Sequence, residues 1–440
     1  MANTYLSKTF SGTPTNSRKC TFSAWFKRSK VGSEQVLISW STASNRDGFR
    51  FDGTSDKLRL FINGASEADI ITNRLFRDTS GWYHVVFAID TTQSTASNRI
   101  KLYINGVQET SLSSSSYPSQ NHDLGLGSAR ACNIGRDVND SNAWFDGSMS
   151  HVHFVDGLQL APTVFGSTDS TTGEWKINTS PSYTVGTNGF FVLKDGNSVT
   201  DQSANSNNFT VGGGTLTKTE DCPSNVFATG NNLATYWTAA TFANGNTTQT
   251  TQSNNYAFNT STLGFKTGKW YWEAKIVSSA QSDMFGITGR TNAGGTTHEL
   301  GKYSDQYAFN SYSGVSRTNS TDTSYTSQFN SNGTIVQIAV DMTNLKIHLG
   351  VNGVWQNSSN PSNNTGGVAI GAISTTTDGY YFIGIGDYSA GSGTHSYNFG
   401  NGYFGTTAVS SAGTNASGNG IFEYDVPTGY TALSTKGLNL

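Results

Sequence analysis

Two histidines, His151 and His153, and a run of oxygen donors, Asp137, Asn139 and Asp140, have the types and spacing to hold a metal ion. Residues i and i+2 of a strand share a face, so the two imidazoles make half of a zinc site. A third ligand would have to come from Asp146 or Asp156, and the competing reading is a pair of exposed strand histidines. Asp137, Asn139 and Asp140 offer the hard oxygens that calcium takes, although not at the spacing of a defined calcium loop, so a solvated turn is the alternative. No other cofactor is expected. Retaining hydrolysis of a glycoside needs two carboxylates about 5 Å apart, which a strand supplies as Glu-x-Asp-x-Glu. The sequence has no such run. Its nearest substitutes, Glu67 with Asp69 and Glu174 alone, fall beside a hairpin and in a loop, so no enzyme is expected. Cys20, Cys132 and Cys222 are odd in number and far apart, which points to neither a disulfide framework nor a zinc site.

The elements that must position these side chains read as strands. Apolar residues alternate at period two in Thr21 to Phe26, Trp82 to Ile89 and Ile335 to Val340, and no long segment carries helical periodicity. Charged residues are 13% of the 440, well below the usual quarter, and 49 glycines accompany Ser, Thr and Asn between the apolar runs. Aromatic residues at 12% supply the bulk for cores. Three alternating runs end in Asn-Gly, at Asn63-Gly64, Asn105-Gly106 and Asn352-Gly353, the pair that tolerates both positive φ angles of a type I′ turn. The expected fold is all-β, with two tandem antiparallel β-sandwiches. One covers residues 1–200, a linker and crossover strand cover 201–235, and the second sandwich begins near Tyr236 and covers 236–440 with a C-terminal extension. Strands at Phe190 to Leu193 and Phe209 to Val211 complete the first. Tyr83, Val85, Phe87 and Ile89 should face one core with Leu102 and Ile104. Trp270, Trp272 and Ala274 should face another, opposite Tyr271 and Glu273.

A net charge of −3 and no basic cluster beyond Lys27, Arg28 and Lys30 argue against nucleic acid as a partner. No apolar run reaches the length of a membrane span, and Met1 to Phe10 lacks the order of a secretory signal, so the expectation is a soluble protein made in a cytoplasm.

The order TFSAWFKR, QVLISW, GFRF, LRLFING, GWYHVVFAID, IKLYING and WFDGSMSHVHFVDGLQL resembles the laminin-G and pentraxin-like group of concanavalin A-like jelly rolls. Trp82-Tyr83-His84-Val85, Leu102 to Gly106, Ile134-Gly135-Arg136 and Phe145-Asp146-Gly147 carry the likeness over about residues 20–160. Such proteins often bind glycans or proteins through loops at one rim, sometimes with calcium. From Gly268 the chain runs GKWYWEAKI, Phe285 to Ile287, Ile335 to Asp341, Leu345 to Gly353 and Tyr381 to Gly386, which resembles a SPRY-type sandwich over about 236–404. In that group loops give specificity, and Thr288 to Gln306 and Asn310 to Gly333 are long, polar candidates here.

Ile421 to Leu433, Leu158 to Gly166 and Thr172 to Lys176 are similar to phrases in laminin-G/SPRY proteins of bacteriophages, particularly of marine and cyanophage type. That resemblance implies a virion structural protein displayed on the particle exterior: a tail fibre or tail-associated appendage that binds host surface glycan during adsorption. A capsid decoration or bridging protein is the alternative, and a polysaccharide-degrading enzyme a third reading. Trp144, Tyr303, Tyr307, Tyr312 and Tyr325 are the candidate glycan or partner contacts. Other virion proteins and a homo-oligomer, such as the trimer usual for fibres, are the implied partners, though no heptad stretch is present to hold a trimer together.

Overall fold

The computed structural model describes residues 3–42, 44–140, 142–194, 198–235, 240–252, 256–292, 298–388 and 391–439. Tyr236, the expected start of the second sandwich, lies outside them. The described residues are strands joined by turns and short 3₁₀ segments, without α-helix, and they divide into two compact units at 218/219. Pairing sets that division. Thr210–Gly213 adds to the edge of the first unit beside Tyr5–Thr9, whereas Gly230–Thr235 pairs with Ala257–Phe265 of the second. Each thus completes a sandwich within the stretch read as linker.

The first unit opposes an eight-stranded to a six-stranded antiparallel sheet. Their facing sides carry Phe22, Phe26, Trp40, Phe49, Phe87 and Phe154, with Phe49 stacked on Phe22 at 4.8 Å and on Phe87 at 4.2 Å. Val85 and Phe87 pair with Ile104 and Leu102 and enter this core, as alternation requires. The second unit opposes a seven-stranded to a nine-stranded sheet. Trp270, Trp272 and Ala274 lie in its core, and Tyr271 faces the other way.

In both units one outer sheet face is itself covered. Phe165, with Leu160 and Tyr183, lies over Val86, Ala88 and Val155 of the six-stranded sheet. Phe422, Val426 and Tyr430 lie over Tyr271 and Ala339 of the nine-stranded sheet. Glu273, fully buried on that face, latches the second strap: its carboxylate accepts from the main-chain N–H groups of Glu423 and Tyr424, both at 2.9 Å, from the Tyr271 hydroxyl at 2.9 Å and from Asn398 at 3.3 Å.

Two of the three Asn-Gly pairs form two-residue turns with both φ positive, between Ile104 and Val107 and between Val351 and Val354. Their asparagines share a second task. Asn105 Oδ1 accepts from the main-chain N–H of His84, and Asn352 Oδ1 from that of Ile335, each at 2.8 Å, which extends the ladder past the end of the hairpin. The third pair departs from expectation. Ile62 pairs with Ala68, so five residues intervene, and Asn63, Gly64 and Ala65 all have positive φ. Here Asp47 Oδ1 accepts the Asn63 N–H at 2.7 Å and draws the chain into a wider loop. Asn105→Ala is expected to destabilise the first unit by about 1–2 kcal/mol, because it loses the bond to His84 and strains the left-handed position. Chemical denaturation checks it, with Asn63→Ala as the milder comparison, since the Asn63 side chain makes no such bond among the described residues.

Asn310 to Gly333, expected as a loop, instead contains a hairpin of Val315–Thr318 and Thr321–Ser324 at the edge of the seven-stranded sheet. Its turn is made by Asn319 and Ser320, both at positive φ, and Thr321–Ser324 is exposed throughout. A strand with no buried face has no apolar alternation to reveal it.

Candidate functional site

The Ala131–Ile134 strand of the eight-stranded sheet ends at Gly135, whose φ of 85° turns the chain and leaves Arg136 half-buried at the sheet's end. Two aromatic rings meet there. Tyr5 and Trp144 pack edge to face with centroids 5.5 Å apart, and the Arg136 guanidinium carbon lies 4.9 Å from the Tyr5 centroid and 4.8 Å from that of Trp144. The guanidinium therefore rests in the notch between two half-buried rings, held by cation–π attraction to both. Gly212 supports the arrangement from behind, since a side chain there would overlap the Tyr5 ring.

The loop that presents Arg136 is fixed at every residue through 139. Ser39 Oγ donates to the Arg136 carbonyl at 3.2 Å and accepts the Val138 N–H at 3.0 Å. Asp137, fully buried, accepts from Arg46 Nη2 at 2.5 Å and Nε at 3.1 Å and from the Asn139 N–H at 2.8 Å. Asn139 donates to the Thr42 carbonyl at 2.7 Å. In the loop expected to offer oxygens to calcium, Arg46 supplies a positive charge at Asp137, Asn139 donates its amide to the main chain, and Asp140 Oδ1 caps the Asn142 N–H. As placed, the three residues serve to hold the loop.

The other sequence-derived contacts separate by burial. Tyr307 and Tyr325 are core residues and cannot meet a ligand at a rim. Tyr307 bridges Ser304 and Gly371 through its hydroxyl, and Tyr325 packs on Phe309 at 4.9 Å. Alternation placed neither outward, but their polar neighbours in sequence hid the burial. Tyr312 is 55% exposed. Tyr303 is half-buried, with the Arg290 guanidinium 3.9 Å over its ring and His298 Nε2 at 3.2 Å from its hydroxyl, and Asp305 accepts from Arg290 at 2.8 Å. A second aromatic–arginine pair thus lies on the expected loop Thr288 to Gln306. Sequence reading missed Tyr5, Arg136 and Arg290 as ring partners; only Gly135-Arg136, already part of the laminin-G-like phrase, marked the place.

The zinc reading of the histidines is also corrected. His151, at φ 49°, occupies a bulge where the Gly147–Asp156 strand gains one residue on Lys19–Arg28, so it does not continue the alternation with His153. Both are buried and not exposed, His153 under Phe165 and Tyr183 of the first strap. His153 stacks on Phe191 at 3.8 Å with Nδ1 2.5 Å from the Tyr183 hydroxyl, and His151 Nδ1 is 2.8 Å from Ser150 Oγ. Among the described residues no group of three or more His, Cys, Asp or Glu is placed to hold a metal ion. The substitutes for a catalytic carboxylate pair are likewise apart: Asp69 is bonded to Arg59 at 2.6 Å, Glu67 lies 3.6 Å from His122, and Glu174 is exposed on the strap. Lys27 and Arg28 are buried, Arg28 with Asp56 at 3.1 Å, so the basic cluster is no surface patch.

Residues 3–165 match the Laminin_G_3 family, described as the concanavalin A-like lectin/glucanases superfamily. No curated protein matches the sequence. Similar solved structures include the SPRY domain of human HERC1, at 16% identity over 38% of this chain and 96% of that one, with a TM-score of 0.31. A SAP-like pentraxin from Limulus polyphemus has 16% identity over 36% and 71%, with a TM-score of 0.27. Domain 4 of the arabinanase AbnA from Geobacillus stearothermophilus, solved in complex with arabinotriose, has 19% identity over 34% and 65%, with a TM-score of 0.27. The chain is thus all-β, with a concanavalin A-like lectin/glucanase-type fold in its first unit.

Proposed function

We propose that this chain is a non-catalytic glycan-binding protein of a bacteriophage particle, a tail fibre or tail-associated component that meets host surface polysaccharide. The observation that carries the binding role is the pairing of accessible aromatic rings with arginines on two sandwiches, at Trp144 with Arg136 and at Tyr303 with Arg290. Aromatic faces take the apolar side of a sugar ring, while guanidinium donors take its oxygens. The lectin-type fold of the first unit is compatible with that role.

A binding role without hydrolysis is compatible with the engagement of several buried carboxylates. Asp47, Asp56, Asp137 and Asp341 are each ion-paired, Asp283 is bonded to His395 Nε2, and Glu273 accepts four hydrogen bonds. The phage setting rests on the phrases Leu158 to Gly166, Thr172 to Lys176 and Ile421 to Leu433, which lie in the two straps. Binding of the full chain to an array of envelope polysaccharides from the bacterial host is the test. Saturable binding to at least one of them is expected. Failure on every one, with the chain located on the capsid lattice by particle imaging, would replace this reading with a decoration role.

A further inference from the structure

Arginines in this protein are nearly all committed to other groups. Arg18, Arg28, Arg46, Arg50, Arg59, Arg74, Arg77, Arg130, Arg290 and Arg317 each pair with a carboxylate. Arg99 has none, but its donors reach the main-chain carbonyls of Gln93, Ser94 and Pro118. Arg136 differs from all of them. The one hydrogen bond of its guanidinium among the described residues runs from Nε to the Asp140 carbonyl at 3.3 Å, and the residue is only half-buried. Both terminal nitrogens, the two that form a fork on a carboxylate or sulfate, have no partner among the described residues.

The surroundings make this open fork specific. Tyr5 and Trp144 flank the guanidinium, Asp140 engages only its Nε, and the Ser39, Asp137 and Asn139 bonds fix the backbone beneath it. Little conformational entropy remains to be lost when a ligand arrives. The presence of Trp144 beside the fork favours a ligand with an apolar ring face adjoining its anion, which describes an acidic sugar better than a free anion. We propose that the Tyr5–Arg136–Trp144 notch is a subsite for an anionic sugar residue, whose carboxylate or sulfate takes two hydrogen bonds from Arg136 while its ring rests on the indole. This deepens the glycan-binding reading and rests on it.

The test uses the full chain and three tetrasaccharides: galacturonan, sulfated galactan and neutral galactan, titrated by calorimetry. Binding of an acidic tetramer is expected, and Arg136→Gln should raise its Kd about tenfold or more, which is at least 1.4 kcal/mol. Arg136→Lys should weaken it less, keeping charge without the fork, and Trp144→Ala should weaken it by removing both the indole face and one of the two rings that flank Arg136. The acidic arm that responds identifies the anion. Melting temperatures of the variants are compared with that of the parent, and Arg136→Lys, the least disruptive, carries the test if the others unfold. Equal binding of acidic tetramers by parent and Arg136→Gln, or binding of the neutral tetramer alone, overturns the subsite and leaves glycan binding standing. No binding of any of the three or of host polysaccharide overturns both.

Discussion

Lowering the pH from 7 to about 4.5 is expected to reduce the melting temperature of the first unit more than that of the second, and His84→Gln should remove much of that slope. His84 is stacked between Trp25 and Trp175, with ring centroids at 4.8 and 5.9 Å. The Trp175 indole N–H donates to its Nδ1 at 3.0 Å, so Nε2 carries the proton of the neutral ring and donates to Ser23 Oγ at 2.9 Å. A charged imidazolium would have to break the first of these bonds in a site without water access, and burial lowers the His84 pKa to about 3. The unfolded chain takes up a proton near pH 6.5 and the folded chain does not. Stability from this group is therefore complete above that pH and is lost as pH falls toward 3, at roughly 4–5 kcal/mol over the whole interval. Burial pushes His153 in the same direction. Asp47 and Asp146, whose carboxyls burial raises, act in the opposite sense at the lower end of the range. In the second unit His348, lowered to about 4, is opposed by Glu273, raised to about 7, which flattens its response. Calorimetric melts across the pH series measure both transitions. An unchanged slope for the first in His84→Gln would show that another group causes it.

His84 also marks the limit of what could be read from the chain. Its strand was legible because Tyr83, Val85, Phe87 and Ile89 alternate into one core. The even positions were invisible as core because a one-sided sheet leaves them in water, and here a strap of mixed composition covers them. The same cause misplaced His151 and His153: their exposure followed from alternation, and both the bulge at His151 and the covering segment are tertiary facts. Glu273 is a parallel case, a carboxylate opposite two core tryptophans that strand alternation assigns to solvent.

At the site, the oxygen-rich loop of Asp137, Asn139 and Asp140 is legible as a loop, but its ion pair is not. Residue types mark a loop with hard donors, but whether a cation or an arginine meets them depends on Arg46, some ninety positions earlier on another strand. Trp144 is singled out by the sequence as a candidate contact, while Tyr5 and Arg136 come beside it only when the first strand pairs with Ala131–Ile134. Long-range pairing of this kind leaves no local pattern. Tyr307 and Tyr325 show the converse, since polar neighbours along the chain made rim residues of side chains that the fold buries.

Glu273→Ala is expected to detach the second strap and to destabilise the second unit by roughly 3 kcal/mol or more. The carboxylate is the common acceptor for two main-chain N–H groups of the strap, for the Tyr271 hydroxyl and for Asn398. Alanine leaves those donors in a site that water does not reach, and the apolar contacts of Phe422, Val426 and Tyr430 must then hold the segment alone. Burial pushes the Glu273 carboxyl up to about 7 despite those bonds. Its contribution is therefore fully present below the unfolded value near 4.5 and is lost as pH rises through about 7, a span worth roughly 3 kcal/mol. Two measurements separate the latch from general packing. Limited proteolysis should cut the 410–430 segment of the parent faster at pH 8 than at pH 5, and in Glu273→Ala at both. Glu273→Gln, neutral at every pH, should lose the pH dependence while remaining more resistant than the alanine variant, because one of its two acceptor positions survives. A parent whose strap is cut equally at both pH values would mean that apolar contacts, and not the carboxylate, hold it to the sheet.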